Sequence, residues 1–149
     1  MLSKEAFWKL LESKPLILDG ATGSNLMKAG MPRGGSTEEW ILAHPDALVS
    51  LQRAYVNAGS KVVYAPTFQA QPIALERLGL ANHTEKINEM LVALSRSVDK
   101  DVLVAGDITT LAAYIDSFDP QNFDLWWIIT AARSKVCWRV VLTCWWEKP

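Results

Sequence analysis

The sequence has few cysteines, no excess of positive charge and no long apolar run, and each absence argues against a class of protein. Its only two cysteines, Cys137 and Cys144, have no partner histidine, which disfavours a metal site at this pair. The 15 lysines and arginines against 16 acidic residues argue against a nucleic-acid partner. No apolar run is long enough to cross a membrane, and residues 1–11 lack the apolar core of a signal peptide. The sequence therefore predicts a cytoplasmic protein with no nucleic-acid or membrane partner.

Short apolar runs alternate with helical patterns, over a length that suits one ordinary domain. The runs that predict strands are 16–18, 61–65 and 102–105. The first of them predicts a strand buried on both faces, because it is continuously apolar and bounded by turn residues. Helices are predicted at 4–13 and at 46–58, the second with Tyr55 on its apolar face. Thr37, followed by two glutamates, is predicted to cap another helix with its hydroxyl. The alternation predicts an α/β fold with a parallel sheet, and a barrel or a doubly wound sheet both fit it.

Polar residues follow each predicted strand at its carboxyl end, where parallel α/β folds carry their chemistry. They are Asp19, Thr67 and Asp107. Gly20 lets the backbone turn sharply after Asp19 and approach a ligand closely. A phosphate-binding loop is unfavoured here, because no lysine follows the G-A-T-G turn. From the residues alone, capping of the turn is the favoured role for Asp19, and Thr67 and Asp107 fit structural roles equally well.

Three motifs in order resemble the homocysteine S-methyltransferase family. They are L-I-L-D-G-A-T-G-S at 16–24, H-P-D-A-L-V-S-L-Q-R-A-Y-V-N-A-G-S-K-V-V-Y-A-P-T-F at 44–68, and V-A-G-D-I at 104–108. The family includes the homocysteine-binding module of methionine synthase and betaine–homocysteine methyltransferases. Each motif is weak alone, but their order and separation together are specific. The resemblance covers most of the chain between residues 16 and 107.

The resemblance implies a (β/α)8 barrel that transfers a methyl group to the sulfur of homocysteine, giving methionine. It implies a zinc ion held by three cysteine thiolates on later strands, which binds the homocysteine sulfur as thiolate. Asp19 and Gly20 match the family's Asp-Gly pair and are expected to bind homocysteine, with Asp19 suited by charge to the amino group. Thr67 and Phe68 match the family's Thr-Phe pair, and Asp107 is expected near the same rim. The methyl donor is left open among methylcobalamin, methyltetrahydrofolate, betaine and S-methylmethionine.

The chain departs from the family in length. A closed barrel of this type needs roughly 250 residues, so this sequence supplies only about the first three to four βα units. The strands that carry the zinc ligands are absent, and the ligand role is not transferred to Cys137 or Cys144. The sequence therefore predicts a homocysteine S-methyltransferase present as a truncated fragment, which alone is expected to bind no stoichiometric zinc and to methylate nothing. The alternative is a broken barrel with open sheet edges and no catalytic activity.

Composition changes abruptly after Leu125. Five of the seven tryptophans and both cysteines follow it, whereas all eight glycines precede it. Tryptophan has one codon, so Trp126-Trp127 is encoded by TGGTGG. One added A before these codons shifts the frame, and permitted codons then give M-V-D-N-Y-R-R-Q-I-K-G-L-L-E-G-G-V-D-L-L-V-G-E-T. This alternative sequence has the helix, glycine stop, buried strand and Glu-Thr ending expected of the family. We therefore interpret 1–125 as barrel sequence and 126–149 as a frame-shifted tail without a native fold.

Overall fold

The computed structural model describes residues 4–13, 15–108, 119, 122–125 and 127–131. The helices and strands with defined bounds, in chain order, are α1 (Lys4–Ser13), α2 (Gly23–Lys28), α3 (Thr37–Ala43), α4 (Pro45–Asn57), β1 (Val62–Ala65), α5 (Pro72–Glu76), a 3₁₀ turn (Ala81–His83), α6 (Thr84–Arg96) and β2 (Leu103–Gly106). Residues 127–131 are also helical. Residues 132–149, most of the segment assigned above to a shifted frame, lie outside the described residues.

The helices form where the apolar periodicity predicts them. α1 has the predicted bounds, and α4 begins one residue earlier than predicted, because Pro45 fits the first helical turn. Gly59, with a φ of 113°, follows the end of α4 in the left-handed conformation that favours glycine. α3 begins at Thr37, but its capping side chain is Ser36, whose Oγ accepts a hydrogen bond from the backbone N–H of Glu39. The predicted hydroxyl cap at Thr37 is therefore wrong by one residue.

β1 and β2 pair in parallel, from Val62 opposite Leu103 to Ala65 opposite Gly106. The helix α6 lies in the connection between them, as the alternation predicts. The α/β class and the parallel pairing are therefore confirmed. The predicted partial barrel extends beyond the two strands shown here and stays a prediction.

The prediction of a strand buried on both faces at 16–18 is wrong. This segment makes a single parallel bridge to β1, between Leu18 and Val62, and Ile17 and Leu18 are 58% and 46% exposed. The backbone N–H of Lys61 donates to the Ile17 carbonyl, so only one side of the segment is paired. Among the described residues, no strand covers its other side. An apolar run indicates that a segment is suited to burial, but its side chains are buried only where other elements pack on both faces of the sheet.

Two apolar clusters form the core of the part of the chain that the structure describes. One lies among the helices and consists of Leu26, Ile41, Leu48, Ala70, Leu75, Ile87 and Leu91. The other packs the two strands against α6 and consists of Val62, Val63, Ala65, Val92, Val104 and Ala105. Leu91 and Val92 are adjacent on α6 and fully buried, so α6 joins the two clusters. No helix within the described ranges is long and apolar enough to span a membrane.

Candidate functional site

An open cavity of about 510 Å³ lies at the carboxyl ends of the sheet segments. Four of the five residues that the sequence places in a binding site line it: Asp19, Gly20, Phe68 and Asp107. The fold brings them together because parallel strands end at one edge of the sheet, so the loops that follow 16–18, β1 and β2 meet there. Further lining comes from the start of α3, including Glu38.

Asp19 is held by its backbone and by one oxygen of its carboxylate. Its N–H donates to the Val62 carbonyl at 2.9 Å, and its Oδ2 accepts a hydrogen bond from the Tyr64 N–H at 3.1 Å. Its Oδ1 is buried and has no hydrogen-bond partner among the described residues. A buried carboxylate oxygen without a donor is a strong acceptor for a ligand N–H group.

Burial raises the pKa of Asp19 from its ordinary value of 3.8 to about 6. The hydrogen bond from the Tyr64 N–H opposes this effect by stabilising the ionised form, and the negative charge of Asp107 adds to it. A cation placed in the cavity would favour the ionised carboxylate. The site is therefore electrostatically suited to a ligand with a positive group.

The turn at Gly20 is packed against the ring of Tyr55. A Cβ atom added to Gly20 would lie 3.0 Å from both Cε1 and Oη of Tyr55, which explains why glycine fits here. The Tyr55 hydroxyl donates to the Ala21 carbonyl at 3.0 Å. Asn25 Nδ2 donates to the same carbonyl at 2.7 Å and to the Tyr55 hydroxyl oxygen at 3.1 Å. These two side chains hold the turn beside Asp19.

Thr67 lies behind the cavity wall. Its side chain is fully buried, and its Oγ1 donates to the Asp107 carbonyl at 2.8 Å and accepts from the Asp107 N–H at 3.0 Å. The hydroxyl thus joins the residues that follow β1 and β2. The structure therefore gives Thr67 a bracing position, one layer behind the cavity-lining residues that the sequence grouped with it.

Phe68 and Glu38 both line the cavity, and a hydrogen bond to the peptide after Phe68 connects them. The Phe68 side chain is 48% exposed at the rim, and Glu38 is 4% exposed. Glu38 Oε1 accepts a hydrogen bond from the Gln69 N–H at 2.8 Å. The sequence pattern indicates only a helix start at Glu38, and it counts Tyr55 as part of an apolar helix face. Neither pattern contains a signal for their contacts at the site.

The described residues do not fit the zinc site that the resemblance implies. Within the ranges that the structure covers, no group of three or more histidine, cysteine, aspartate or glutamate side chains could hold a metal ion. The cavity offers carboxylates and backbone groups, whereas a thiolate-bound zinc needs cysteines. The cavity is therefore of a size that suits an amino-acid ligand, and within the described ranges it offers no thiolate for a zinc ion.

Sequence comparison places the chain among known proteins. A model of the family described as Homocysteine S-methyltransferase matches residues 16–132. Betaine–homocysteine S-methyltransferase 1 of Danio rerio is 34% identical over 112 residues, which are 72% of this chain and 28% of that protein. The corresponding protein of Sus scrofa is 31% identical over 123 residues, 76% of this chain and 44% of that one. The chain thus spans less than half the length of these relatives.

Solved structures share the fold. The homocysteine methyltransferase MmuM from Escherichia coli in its oxidised form aligns with a TM-score of 0.70 at 21% identity, covering 88% of this chain and 52% of MmuM. Its metallated form aligns with a TM-score of 0.67 at 19% identity, covering 89% of this chain and 53% of MmuM. The described α/β arrangement therefore corresponds to about half of a larger fold.

Proposed function

This chain belongs to the homocysteine S-methyltransferase family, and on that premise we propose that its cavity binds homocysteine as the acceptor of a methyl group. The observation that carries the proposal is the Oδ1 atom of Asp19, which is buried at the cavity without a hydrogen-bond partner among the described residues. The ammonium group of homocysteine would supply the missing donor and a compensating charge. We assign this role to Asp19 as an amino-group anchor.

The neighbouring residues would orient the ligand. Gly20 lines the cavity beside Asp19, and the Asp107 carboxylate strengthens the negative potential of the cavity. Phe68 would cover part of the ligand from the rim. In the reaction, the homocysteine sulfur forms a bond to the methyl carbon while the donor–methyl bond breaks, and the thiol proton is lost. The described residues fix the end of the substrate that does not react.

The remaining parts of the reaction are proposed for a longer protein. We propose that the chain contributes the first three to four βα units of a (β/α)8 barrel in the cytoplasm. The methyl donor, either a cobalamin- or folate-linked group or a small methylated compound, and the zinc ion would contact other parts of that barrel. This division agrees with the chain spanning 52% of MmuM.

A second candidate is a product without catalytic activity. The half-exposed apolar segment at Ile17 and Leu18 favours it, because an unpaired sheet edge is available for aggregation. We expect the chain alone to bind no stoichiometric zinc and to form no methionine. Zinc-dependent methionine formation by this exact polypeptide would contradict that expectation.

Binding of L-homocysteine, measured by calorimetry under reducing conditions at pH 7.5, tests the proposal. We expect binding by the chain and a loss of about tenfold in affinity for Asp19→Asn, since a hydrogen bond to a charged group is removed. Asp101→Asn, which changes an exposed aspartate, is the matched control. N-acetylhomocysteine has no ammonium group and should bind weakly. Equal affinity for homocysteine and its N-acetyl derivative would contradict the role of Asp19.

A further inference from the structure

Glu38 is a buried carboxylate that contacts two separate segments. It lies in the first turn of α3, where its Oε2 accepts a hydrogen bond from the Ser36 hydroxyl at 3.3 Å. Its Oε1 accepts a hydrogen bond from the Gln69 N–H at 2.8 Å, across 31 positions of sequence. The next residue, Glu39, is exposed and has the same side chain. Burial of a carboxylate is costly unless its oxygens are hydrogen-bonded, so these contacts explain why Glu38 is tolerated here.

The Gln69 N–H that contacts Glu38 lies in the segment after β1, and this segment also carries Phe68. It leaves β1 in two tight turns, with the Thr67 N–H donating to the Ala65 carbonyl and the Gln71 N–H donating to the Gln69 carbonyl, each at 2.7 Å. Thr67 is tied to Asp107 on one side. On the other side, the Ala70 carbonyl accepts a hydrogen bond from Asn88 Nδ2 at 2.6 Å. Phe68 and Gln69 lie between these two anchors.

The Glu38 contact falls at the middle of this segment. The Gln69 N–H belongs to the peptide that follows Phe68, so the position of that N–H sets the direction in which the Phe68 side chain leaves the backbone. A hydrogen bond to a carboxylate is stronger than one to a neutral acceptor, and the start of α3 favours negative charge. The contact therefore holds a rim residue of the cavity from a helix that is distant in sequence.

We propose that Glu38 is a positioning residue for the homocysteine site. By accepting the Gln69 N–H it fixes the peptide that presents Phe68 at the cavity rim, and it thereby sets the affinity for homocysteine. This inference rests on the proposed function for its ligand, but its structural step does not require a ligand. Asp19 and Asp107 also line the cavity and are acidic, so the test has to separate the hydrogen bond of Glu38 from its charge.

Three substitutions of Glu38 separate these contributions. Glu38→Gln keeps an oxygen within reach of the Gln69 N–H and removes the charge. Glu38→Asp keeps the charge and withdraws the acceptor by one methylene group. Glu38→Ala removes both, and Glu39→Gln repeats the charge change on the exposed neighbour as a matched control.

The first readout is fluorine NMR of the ligand-free chain labelled with 4-fluorophenylalanine, with the Phe68 signal assigned by Phe68→Leu. We expect a shifted Phe68 signal in Glu38→Ala and Glu38→Asp, and an unchanged one in Glu38→Gln and Glu39→Gln. The Gln69 amide proton should move upfield in the first two variants, since its hydrogen bond is lost. A general loss of folding would instead change all the fluorine signals, and Glu38→Asp retains enough bulk and charge to be compared if Glu38→Ala unfolds.

The second readout is homocysteine affinity at pH 7.5. We expect about tenfold weaker binding for Glu38→Ala and Glu38→Asp, and a change within about twofold for Glu38→Gln. An unchanged Phe68 signal in both weakened variants, or Glu38→Gln binding as weakly as Glu38→Ala, would overturn the inference. A wild-type chain that binds no homocysteine would contradict the proposed function and the affinity step together. An unchanged Phe68 signal with normal homocysteine binding would contradict only the role of Glu38.

Discussion

The Oδ2 atom of Asp19 accepts the backbone N–H of Tyr64 at 3.1 Å, where continued parallel pairing would use the Asp19 carbonyl. The carbonyl of Tyr64 also contacts a side chain: it accepts a hydrogen bond from Gln52 Nε2 at 2.8 Å. Side chains therefore satisfy both backbone groups of Tyr64. Because the Asp19 side chain takes the place of its carbonyl, the pairing of 16–18 with β1 ends after one bridge. The same contact fixes the Asp19 carboxylate beside the cavity, with Oδ1 buried and without a hydrogen-bond partner among the described residues.

Homocysteine affinity should depend on pH through Asp19. Its pKa is about 6, so at pH 5 roughly a tenth of the carboxylate is ionised and at pH 7.5 nearly all of it is. We expect binding to be about tenfold weaker at pH 5 than at pH 7.5, and Asp19→Asn to show no such change. Calorimetric titrations at both pH values test this, with Asp101→Asn as the control that retains the dependence. An affinity of the wild-type chain that is flat from pH 5 to 7.5 would contradict it.

The same carboxylate should reduce folding stability at neutral pH. The pKa of Asp19 in the folded protein lies above its unfolded value, so the neutral carboxyl group is the form that the folded protein favours. The stability associated with this neutral form is fully present below about pH 4 and is lost as the pH rises through about 6. Asn at position 19 can still accept the Tyr64 N–H and has no charge to bury. We expect Asp19→Asn to raise the free energy of unfolding by about 1 kcal/mol at pH 7.5, a value reduced for solvent screening, and by almost nothing at pH 3.5.

Urea unfolding of the two proteins at each pH measures this difference, and taking it between variants cancels the titration of all other groups. A stabilisation that is equal at both pH values would show that the effect comes from packing rather than from the charge. Weaker homocysteine binding together with higher stability would mark Asp19 as a residue retained for its ligand.

The helices could be predicted from the sequence because their apolar spacing is a local property. The bounds of α1 and α4 follow from it to within one residue. The segment 16–18 could not be predicted as it is, because its exposure depends on which neighbours lie on its two sides. Apolar composition is the same for a central strand and for an edge segment. Its single bridge to Val62 is a property of the tertiary structure.

The candidate site could be predicted only in part, and for a related reason. Asp19, Gly20, Phe68 and Asp107 follow predicted strands, and the rule that parallel strands end at one edge brings them together. Glu38 and Tyr55 act through contacts with Gln69 and Ala21, which are 31 and 34 positions away in sequence. Such contacts leave no pattern in a single sequence.

Gly20→Ala should perturb the turn beside Asp19. The new Cβ would lie 3.0 Å from the Tyr55 ring, so the ring must move and its hydrogen bond to the Ala21 carbonyl is strained. We expect a loss of about 1 kcal/mol in the free energy of unfolding, together with weaker homocysteine binding. Gly23→Ala is the matched control for the unfolding measurement, since nothing lies within 4 Å of its added Cβ and alanine favours the helix α2. Because Gly23 also lines the cavity, the two variants are compared by stability and not by binding. Equal effects of the two substitutions would exclude the contact with Tyr55 as the cause.

Thr67→Val should separate the ends of β1 and β2. Valine has nearly the same shape as threonine but can neither donate to the Asp107 carbonyl nor accept from the Asp107 N–H. We expect a loss of about 2 kcal/mol in the free energy of unfolding, measured with urea at pH 7.5. Thr67→Ser keeps the hydroxyl and should recover most of the loss. If serine is as destabilising as valine, then the methyl group, and not the brace to Asp107, is what matters at this position.

The abrupt change of composition after Leu125 makes a prediction about the coding DNA. We expect sequencing across codons 125 and 126 to reveal one A missing before TGGTGG, and the restored frame to continue into the cysteine-bearing strands that the family resemblance implies. The fixed tryptophan codons make this specific, because they force several of the recovered glycines, leucines and valines. Expression of the restored gene should then give a protein that binds zinc and homocysteine together. A verified frame as written would reject a sequencing error, and the 149-residue chain would have to be tested for homocysteine binding as a product in its own right.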